Sequence, residues 1–283
     1  MEIFDDRVCT LGEGPTYDDR TGRAHWVDVP NQRVLWRDGD NRIGEIRTPA
    51  HVSAVIPRAD GGLVLLLPAG PALADADGTI TARIGYDDPA AGTMLRCNDA
   101  KADPVGRLWF GTMTFDMAIG AGALYRLDPG ATEPVRVQSD ITVSNGLGWS
   151  VAGDRMYYVD TATRRLDVFD YDLATGAATD RRTFVDVAPL RPDGLCTDAE
   201  GAVWVALWGA GLVRRYTPDG VLDRELSVPT PYATSCCFIG PGYDVLIITT
   251  AAVRRALGTP EGGLTYAHRP GDVVGRPVDR YAG

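Results

Sequence analysis

Polar, oxygen-bearing residues stand at the start of six apolar segments of this sequence. They are Glu13, Ser53, Asn98, Asn145, Asp193 and Ser235. Two of the six are carboxylates, two are amides and none is Lys or Arg, so together they offer oxygen ligands and negative charge without an internal counter-ion. Burying Glu13 and Asp193 without a cation would be costly. A bound cation is the simplest compensation.

Oxygen ligands favour a hard divalent ion such as Ca²⁺, Mg²⁺ or Mn²⁺, although carboxylates also bind Zn²⁺ and Fe²⁺. The alternative is that Asp, Asn and Ser recur because they initiate turns. Turn chemistry does not select Glu, however. We therefore predict that Glu13, Asn145 and Asp193 hold one divalent metal ion, and that Asp193 is aimed at the ion rather than forming a turn.

The spacing of these residues indicates the elements that position them. A turn follows each polar residue by eight or nine positions, and a second apolar strand comes next. The turn positions are Gly22, Gly62, Gly106, Asp154, Gly201 and Tyr243. Downstream segments such as LYRLDPG and LVRRYTPDG add further strands before further turns. Each unit thus contains about four short strands, joined by the Gly- and Asp-rich turns typical of hairpins.

A period of roughly 40 to 50 residues with four strands per unit is typical of a β-propeller blade. We therefore predict an all-β, six-bladed β-propeller with four-stranded blades around a central channel, as a single domain over residues 1–283. The segment EIFDD near the start is expected to add a strand to the last blade and close the ring. The alternative is a β-sandwich with a coincidental strand spacing. The signatures of WD40 and kelch repeats are not repeated here.

Composition narrows the function classes. The net charge is −10 and Lys and Arg do not cluster, which argues against nucleic-acid binding. No apolar run approaches the ~20 residues of a membrane span, and the N-terminal residues lack the pattern of a signal peptide. Five cysteines without a CxxC pair favour reduced, buried thiols and a cytoplasmic protein. No pattern indicates the oligomeric state.

Several blocks resemble the regucalcin (senescence marker protein)/gluconolactonase family of six-bladed propellers, in that family's order and spacing. The blocks are LGEGPTYD, RCNDAKADPVGRLWFGTM, VSNGLGWS, RPDGLCTDAEGAVWVA, TSCCFIG and the terminal YAG. In the family, a Glu, an Asn and an Asp of three such blocks hold one divalent ion, which implies Glu13, Asn145 and Asp193 here. Two features depart from the family pattern: Ala100 replaces the usual Gly, and the loop from Thr114 to Gly122 is short.

The resemblance also implies a substrate-binding set and a reaction. The RxND block places Arg96 and Asn98 against the substrate, and Asp116 occupies the place of an acidic residue that contacts sugar hydroxyls in some members. Enzymes of the family hydrolyse sugar lactones to aldonic acids. In such a reaction a divalent ion would stabilise the oxyanion, Asp193 would take the proton of the attacking water as the catalytic base, and Arg96 would donate hydrogen bonds.

Two other functions stay open at this stage. One is a non-enzymatic Ca²⁺-binding regulatory protein, as the name regucalcin implies, and the other is a related hydrolase of phosphotriesters or other esters. A nucleophilic Ser or Cys mechanism would need an adjacent base. Of the three histidines, His25 and His268 are expected to be structural and His51 lies near a channel entrance. Trp208 and Phe115 either line the channel mouth or pack within blades.

Overall fold

The computed structural model describes residues 1–86, 95–252 and 261–283. In these ranges the chain forms 24 strands, named β1 to β24 in chain order, which pair into six four-stranded antiparallel sheets. The first two sheets comprise β2 (Gly12–Asp18), β3 (Arg23–Asp28), β4 (Arg33–Asp38) and β5 (Ile43–Arg47), then β6 (Ala54–Pro57), β7 (Leu63–Leu67), β8 (Gly70–Ala74) and β9 (Ile80–Arg83). Each sheet is one blade of the predicted propeller.

The third and fourth blades have the same strand order and are joined in sequence. They comprise β10 (Leu95–Ala102), β11 (Leu108–Thr114), β12 (Gly122–Leu127) and β13 (Val135–Ile141), then β14 (Ser144–Trp149), β15 (Arg155–Asp160), β16 (Arg165–Asp172) and β17 (Ala177–Asp186). A 3₁₀ turn at Thr161–Thr163 is the one helical element among the described residues. The structure therefore confirms the all-β prediction.

The sixth blade closes the ring by combining both ends of the chain. The fifth and sixth blades comprise β18 (Arg191–Thr197), β19 (Val203–Trp208), β20 (Leu212–Tyr216) and β21 (Leu222–Ser227), then β22 (Ala233–Ile239), β23 (Val245–Thr250), β24 (Thr265–His268) and β1 (Glu2–Asp5). Strand β1 pairs antiparallel with β24, so the expectation for EIFDD is confirmed. This pairing covers the outer edge of β24.

The first strand of each blade lines the axis. Strands β2, β6, β10, β14, β18 and β22 contact one another in this order, and β22 returns to β2. Separate clusters of buried apolar side chains fill the spaces between neighbouring blades, and buried tryptophans stand on the second strands of alternate blades (Trp26, Trp109 and Trp204). The core is thus a ring of sheet-to-sheet interfaces, and the axis is left to polar side chains.

The turns that join the first two strands of each blade lie at one end of the channel. All six predicted turn positions are found there; Gly62 and Gly201 have φ near +80° and Tyr243 has φ +51°. A C-terminal strap, residues 274–283, runs across this end and contacts every blade. Its contacts include Val274 O with the Ala199 amide (3.0 Å) and the Ala282 amide with Gly106 O (2.9 Å). The strap therefore covers the end of the channel opposite the starts of the inner strands.

Candidate functional site

The residues predicted as a site lie where the inner strands are irregular. The pairing with the second strand shifts register in five of the six blades, between Glu13 and Thr16, Cys97 and Ala100, Ser144 and Leu147, Pro192 and Leu195, and Ala233 and Ser235. Asn98, Asn145 and Asp193 lie inside these irregularities and Glu13 borders one. Because a bulge re-aims side chains and bulges are common near active sites, these positions are suited to function.

Two glycines allow the inner strands to approach closely here. A Cβ on Gly146 would lie 2.7 Å from the carbonyl oxygen of Asp193, and a Cβ on Gly194 would lie 2.1 Å from Ser235 Oγ. Any larger residue would push neighbouring strands apart. In the pairs Asn145-Gly146 and Asp193-Gly194, the first residue is a candidate ligand and the glycine lets its strand lie close to the next one. Asp193 belongs to strand β18 and not to a turn.

A chain of hydrogen bonds links the third, fourth and fifth blades at this end of the channel. Arg96 Nη1 donates to Asn98 Oδ1 (2.7 Å), and Asn98 Nδ2 donates to Asn145 Oδ1 (2.8 Å). Asn145 Nδ2 donates to Thr161 Oγ1 (2.7 Å), whose hydroxyl donates to the carbonyl of Pro192 (2.7 Å). The network fixes the orientation of the Asn145 amide, with its oxygen on the side of Asn98.

Three carboxylates, the buried Asp99 and Asp193 and the half-buried Glu13, lie close enough to repel one another. Burial raises the pKa of Glu13 well above its usual range, and the negative charges of Asp193 and Asp99 raise it further. Burial, followed by the charge of Asp99, likewise raises the pKa of Asp193. The Gly14 amide donates to Glu13 Oε2 (3.1 Å), and among the described residues no Arg or Lys forms an ion pair with Glu13, Asp99 or Asp193. This end of the channel therefore carries three acidic side chains without a direct ion pair among the described residues, and the charges of Arg96 on Glu13 and of Lys101 on Asp99 offset them only in part.

Asp99 joins the candidate site in the structure although its sequence pattern did not predict it. It is 7% exposed, and burial raises its pKa although the charge of Lys101 acts in the opposite direction. Strict strand alternation would turn Asp99 away from the face that holds Asn98. The register shift between Cys97 and Ala100 breaks this alternation. The signal in the sequence was the acidic residue itself, directly after Asn98.

Asp116 stands apart from the hydrogen-bond network. It is exposed on the loop that follows β11, and hydrogen bonds from Thr114 and from the Ala118 amide lower the pKa of its carboxyl. The preceding residue, Phe115, connects this loop to the site, because the Arg96 guanidinium lies 5.6 Å from the centre of its ring. His51 contacts the same ring edge-on, with centroids 5.9 Å apart. An aromatic and cationic border thus lies beside the network.

The remaining aromatic and histidine candidates, Trp208, His25 and His268, differ in their burial and in the residues that they contact. Trp208 packs against Tyr232 with ring centroids 5.0 Å apart, at the same end of the blades as Arg191. His25 is buried in β3 and His268 is half-buried in β24, in agreement with structural roles. All five cysteines are free and buried, as predicted.

A cavity of about 740 Å³, including its part open to solvent, extends from this cluster towards the strap. Its lining includes Asp99, Lys101, Ser235 and Asp279, but not Glu13, Asn145 or Asp193. Among the described residues, no three His, Cys, Asp or Glu side chains alone are grouped as a metal site. Asn145 offers an amide oxygen in addition to the carboxylates of Glu13 and Asp193.

Comparison with known proteins assigns the chain to a family. Residues 11–252 match the model of the SMP-30/Gluconolactonase/LRE-like region. The chain belongs to this family. It is 34% identical to regucalcin of Danio rerio, over 96% of this chain and 95% of that protein. It is 36% identical to a pentonolactonase of Haloferax volcanii, over 87% and 83% of the two chains.

The solved structures agree with this assignment. The structure of a calcium-binding protein, regucalcin, from Agrobacterium tumefaciens superposes with a TM-score of 0.92 at 30% identity, covering 100% of this chain and 97% of that one. The resemblance stated from the sequence blocks is thereby confirmed. In the described part of the chain, no helix has the length and apolar character needed to cross a membrane.

Proposed function

We propose that this protein is a divalent-metal-dependent aldonolactonase, which hydrolyses a sugar lactone to the aldonic acid. The observation that carries the proposal is the group of oxygen donors at one end of the channel, the buried Asn145 and Asp193 and the half-buried Glu13, whose carboxylates have no ion-paired cation among the described residues. Membership in a family that includes a pentonolactonase supports the reaction class. The predicted cytoplasmic location stays a prediction.

The donor set fits a divalent ion. The pKa values of Glu13 and Asp193 are raised by burial and by neighbouring carboxylates, and a cation between the two side chains would relieve this repulsion. The Asn145 amide is already oriented by its bonds to Asn98 and Thr161, so its oxygen needs no reorganisation. All three donors are oxygens, which suits Ca²⁺, Mg²⁺ or Mn²⁺ and is compatible with Zn²⁺ and Fe²⁺.

The proposed mechanism assigns a role to each residue. When bound, the ion supplies Lewis-acid stabilisation of the negative charge that develops on the lactone carbonyl oxygen. Asp193 accepts the proton of the water that attacks the carbonyl carbon. The bond from this carbon to the ring oxygen then breaks, and the ring oxygen takes the proton from Asp193 to become a hydroxyl group. The carboxylic acid formed at this carbon releases its remaining proton to solvent and leaves as the carboxylate of the aldonic acid.

Arg96 and Asn98 hold the substrate in this mechanism. The Arg96 guanidinium donates to the lactone and to the carboxylate as it forms, a charge-assisted pairing that strengthens as the reaction proceeds. Its bond to Asn98 and its position over Phe115 limit its motion, so less conformational entropy is lost on binding. Asp116, exposed on the neighbouring loop, accepts hydrogen bonds from sugar hydroxyls.

One alternative has a specific observation in its favour. The structural relative from Agrobacterium tumefaciens is described as a calcium-binding protein, so this chain could bind Ca²⁺ without catalysing a reaction. The two functions share the ion site and differ in turnover. A third function, hydrolysis of phosphotriesters, would use the same ion. It differs from the proposed lactonase in the substrate that the protein hydrolyses.

The decisive experiment is acid release from lactones by metal-stripped protein. Ca²⁺, Mg²⁺, Mn²⁺, Zn²⁺ and Fe²⁺ are added back singly against gluconolactone, xylonolactone, galactonolactone and arabinonolactone, with spontaneous hydrolysis subtracted. An aryl phosphotriester forms a parallel arm. We expect one ion to restore hydrolysis of at least one lactone and to leave the phosphotriester intact.

The other outcomes overturn the proposal in distinguishable ways. Ion binding by calorimetry without turnover of any lactone would support the calcium-binding alternative. Faster hydrolysis of the phosphotriester than of every lactone would support the third function. Full lactonase activity in metal-stripped protein would refute the metal dependence.

A further inference from the structure

The chain contains a single lysine, Lys101, and its side chain extends across the central channel. Lys101 stands on β10, three residues beyond Asn98, and Lys101 Nζ donates a hydrogen bond to the carbonyl oxygen of Leu195 on β18. Strand β10 belongs to the third blade and β18 to the fifth, with β14 between them in the ring. The bond therefore joins strands that are not neighbours.

The acceptor of this bond lies close to the candidate base. Leu195 is two residues beyond Asp193 on the same strand and follows directly after the register shift of β18. At a register shift the ladder to the second strand is locally interrupted, so it holds the strand less firmly. A bond from Lys101 adds a restraint at this point.

The charge of Lys101 also acts beside the candidate site, on the carboxylate of Asp99. The ammonium lowers the pKa of Asp99, whose own charge raises the pKa of Glu13 and of Asp193. Lys101 and Asp99 line the same cavity, between the candidate ligands and the C-terminal strap. A fixed positive charge beneath an ion site opposes cation binding by Coulomb repulsion.

We propose that Lys101 is a positioning residue, whose ammonium restrains the strand carrying Asp193 and sets the positive charge beneath the candidate ion site. This inference rests on the proposed ion site and assigns that site an internal counter-charge. The two effects have opposite signs. Loss of the ammonium strengthens ion binding, because a repulsive charge disappears, and slows the reaction, because Asp193 loses its restraint.

The primary test is Lys101→Met, which removes the charge and the donor and keeps most of the side-chain length. With Ca²⁺ as the probe in calorimetry, we expect affinity to rise about three- to tenfold. If a lactone substrate has been found, kcat should fall about tenfold with little change in KM, since the substrate contacts are retained. Lys101→Arg keeps a positive charge and donors, and should return the ion affinity to within about twofold of wild type.

Arg276→Met is the matched control. Arg276 lines the same cavity but donates to carbonyl oxygens of Trp149 and Ser150 and pairs with Asp279, away from β18. The substitution Arg276→Met removes one positive charge from the cavity, and we expect the ion affinity and kcat of this variant to stay within about twofold of wild type. Equal effects of both substitutions would refute a specific role for Lys101.

Two further measurements keep the proposal separate from the proposed enzyme activity. Selective ¹³C,¹⁵N-lysine labelling gives one side-chain signal, from Lys101, and this signal should shift as Ca²⁺ binds and reach its endpoint at the same stoichiometry as the calorimetric titration. Hydrogen exchange of β18 should be faster in Lys101→Met than in wild type, with β6 unchanged, even if the protein binds no ion and hydrolyses no lactone. An unmoved lysine signal during proven ion binding would refute the electrostatic role, and unchanged exchange in β18 would refute the restraint.

Discussion

Two sets of buried carboxylates at opposite ends of the channel are treated in opposite ways by the fold. At the end covered by the strap, Asp198 is 0% exposed and accepts hydrogen bonds from the Ala202 amide (2.9 Å), Trp204 Nε1 (2.9 Å) and Arg215 Nε (2.8 Å). At the other end, Asp193 is 6% exposed and has no ion-paired partner among the described residues.

The paired set holds the turns together. Asp103 repeats the arrangement of Asp198 in the third blade, with bonds from the Val105 and Arg107 amides (3.0 and 2.8 Å) and an ion pair with Arg107 (3.1 Å). Donors of this kind are what a buried charge needs to be tolerated. The buried carboxylates at the strap end therefore stabilise the turns of the fold.

The comparison of Asp198 with Asp193 separates a structural carboxylate from a functional one in this protein. Burial alone does not separate Asp198 from Asp193, since both are buried. What separates them is an ion-paired arginine together with several donors at Asp198, whereas Asp193 accepts from the Gly194 amide and has no ion pair among the described residues. A buried acid with so little compensation either stays protonated or binds a cation, and the second possibility is the one that our proposed function uses.

The largest expected effect is on turnover, in Asp193→Asn. The substitution removes a charge from the proposed ligand set and removes the proposed base, so kcat should fall by at least about a hundredfold. The fold should persist, because a neutral amide relieves repulsion with Glu13 and Asp99. Lactone hydrolysis and circular dichroism on the same sample test both parts. Near-normal activity would contradict the mechanism.

Asp198→Asn makes the matching change at the other end and should produce the opposite result. The new amide group faces donors of Trp204 and Arg215, so buried N–H groups would lose an acceptor. We expect the free energy of unfolding to fall by about 3 kcal/mol, measured by urea denaturation. The protein that remains folded should keep its ion affinity. If Asp193→Asn destabilised the protein more than Asp198→Asn, the distinction between the two ends would be wrong.

Asp99→Asn tests the residue that the structure adds to the site. Removing its charge should weaken Ca²⁺ binding by about tenfold, through Coulomb attraction rather than direct ligation. Calorimetry measures the affinity. Asp279→Asn is the control, because Asp279 lines the same cavity but belongs to the strap. Similar losses in both variants would mean that Asp99 acts only through the overall charge of the channel.

The sequence predicts the fold because the propeller repeats its signals. Each blade has its own polar start and turn, so an ambiguous turn such as Tyr243 is identified by its position in the period, and its φ of +51° agrees. The same repetition identifies Glu13, Asn145 and Asp193 as equivalent positions. The proposed roles of Arg96, Asn98 and Asp116 came from the family resemblance instead, and they stay predictions.

Two features could not be predicted, for different physical reasons. Asp99 was missed because alternation with period two assumes regular pairing, and a bulge in β10 breaks it. The channel-spanning bond of Lys101 and the strap were missed because each depends on contacts between segments far apart in sequence. Leu195 is 94 residues from Lys101, and no repeat relates the strap to the blades.

The smallest expected effect concerns His25, a buried titratable group away from the candidate site. Its Nδ1 has no hydrogen-bond partner among the described residues, and burial lowers its pKa to about 4, with Asp18 acting in the opposite direction and Arg23 in the same one. The unfolded chain takes up this proton near pH 6.5. Between the two pKa values the unfolded state binds more protons, so stability falls as the pH drops through this window.

His25→Gln should remove this contribution. Between pH 7 and pH 5.5 wild type should lose about 1 kcal/mol more unfolding free energy than the variant, measured by urea denaturation at each pH. Above pH 7 the two stability curves should run parallel, because His25 is neutral in both the folded and the unfolded state. A difference that persisted unchanged from pH 8 to pH 5.5 would show that His25 contributes through packing alone. A buried ring nitrogen without a hydrogen-bond partner among the described residues would then leave the pH dependence of stability unchanged, and the contrast between the two ends of the channel would rest on the carboxylates alone.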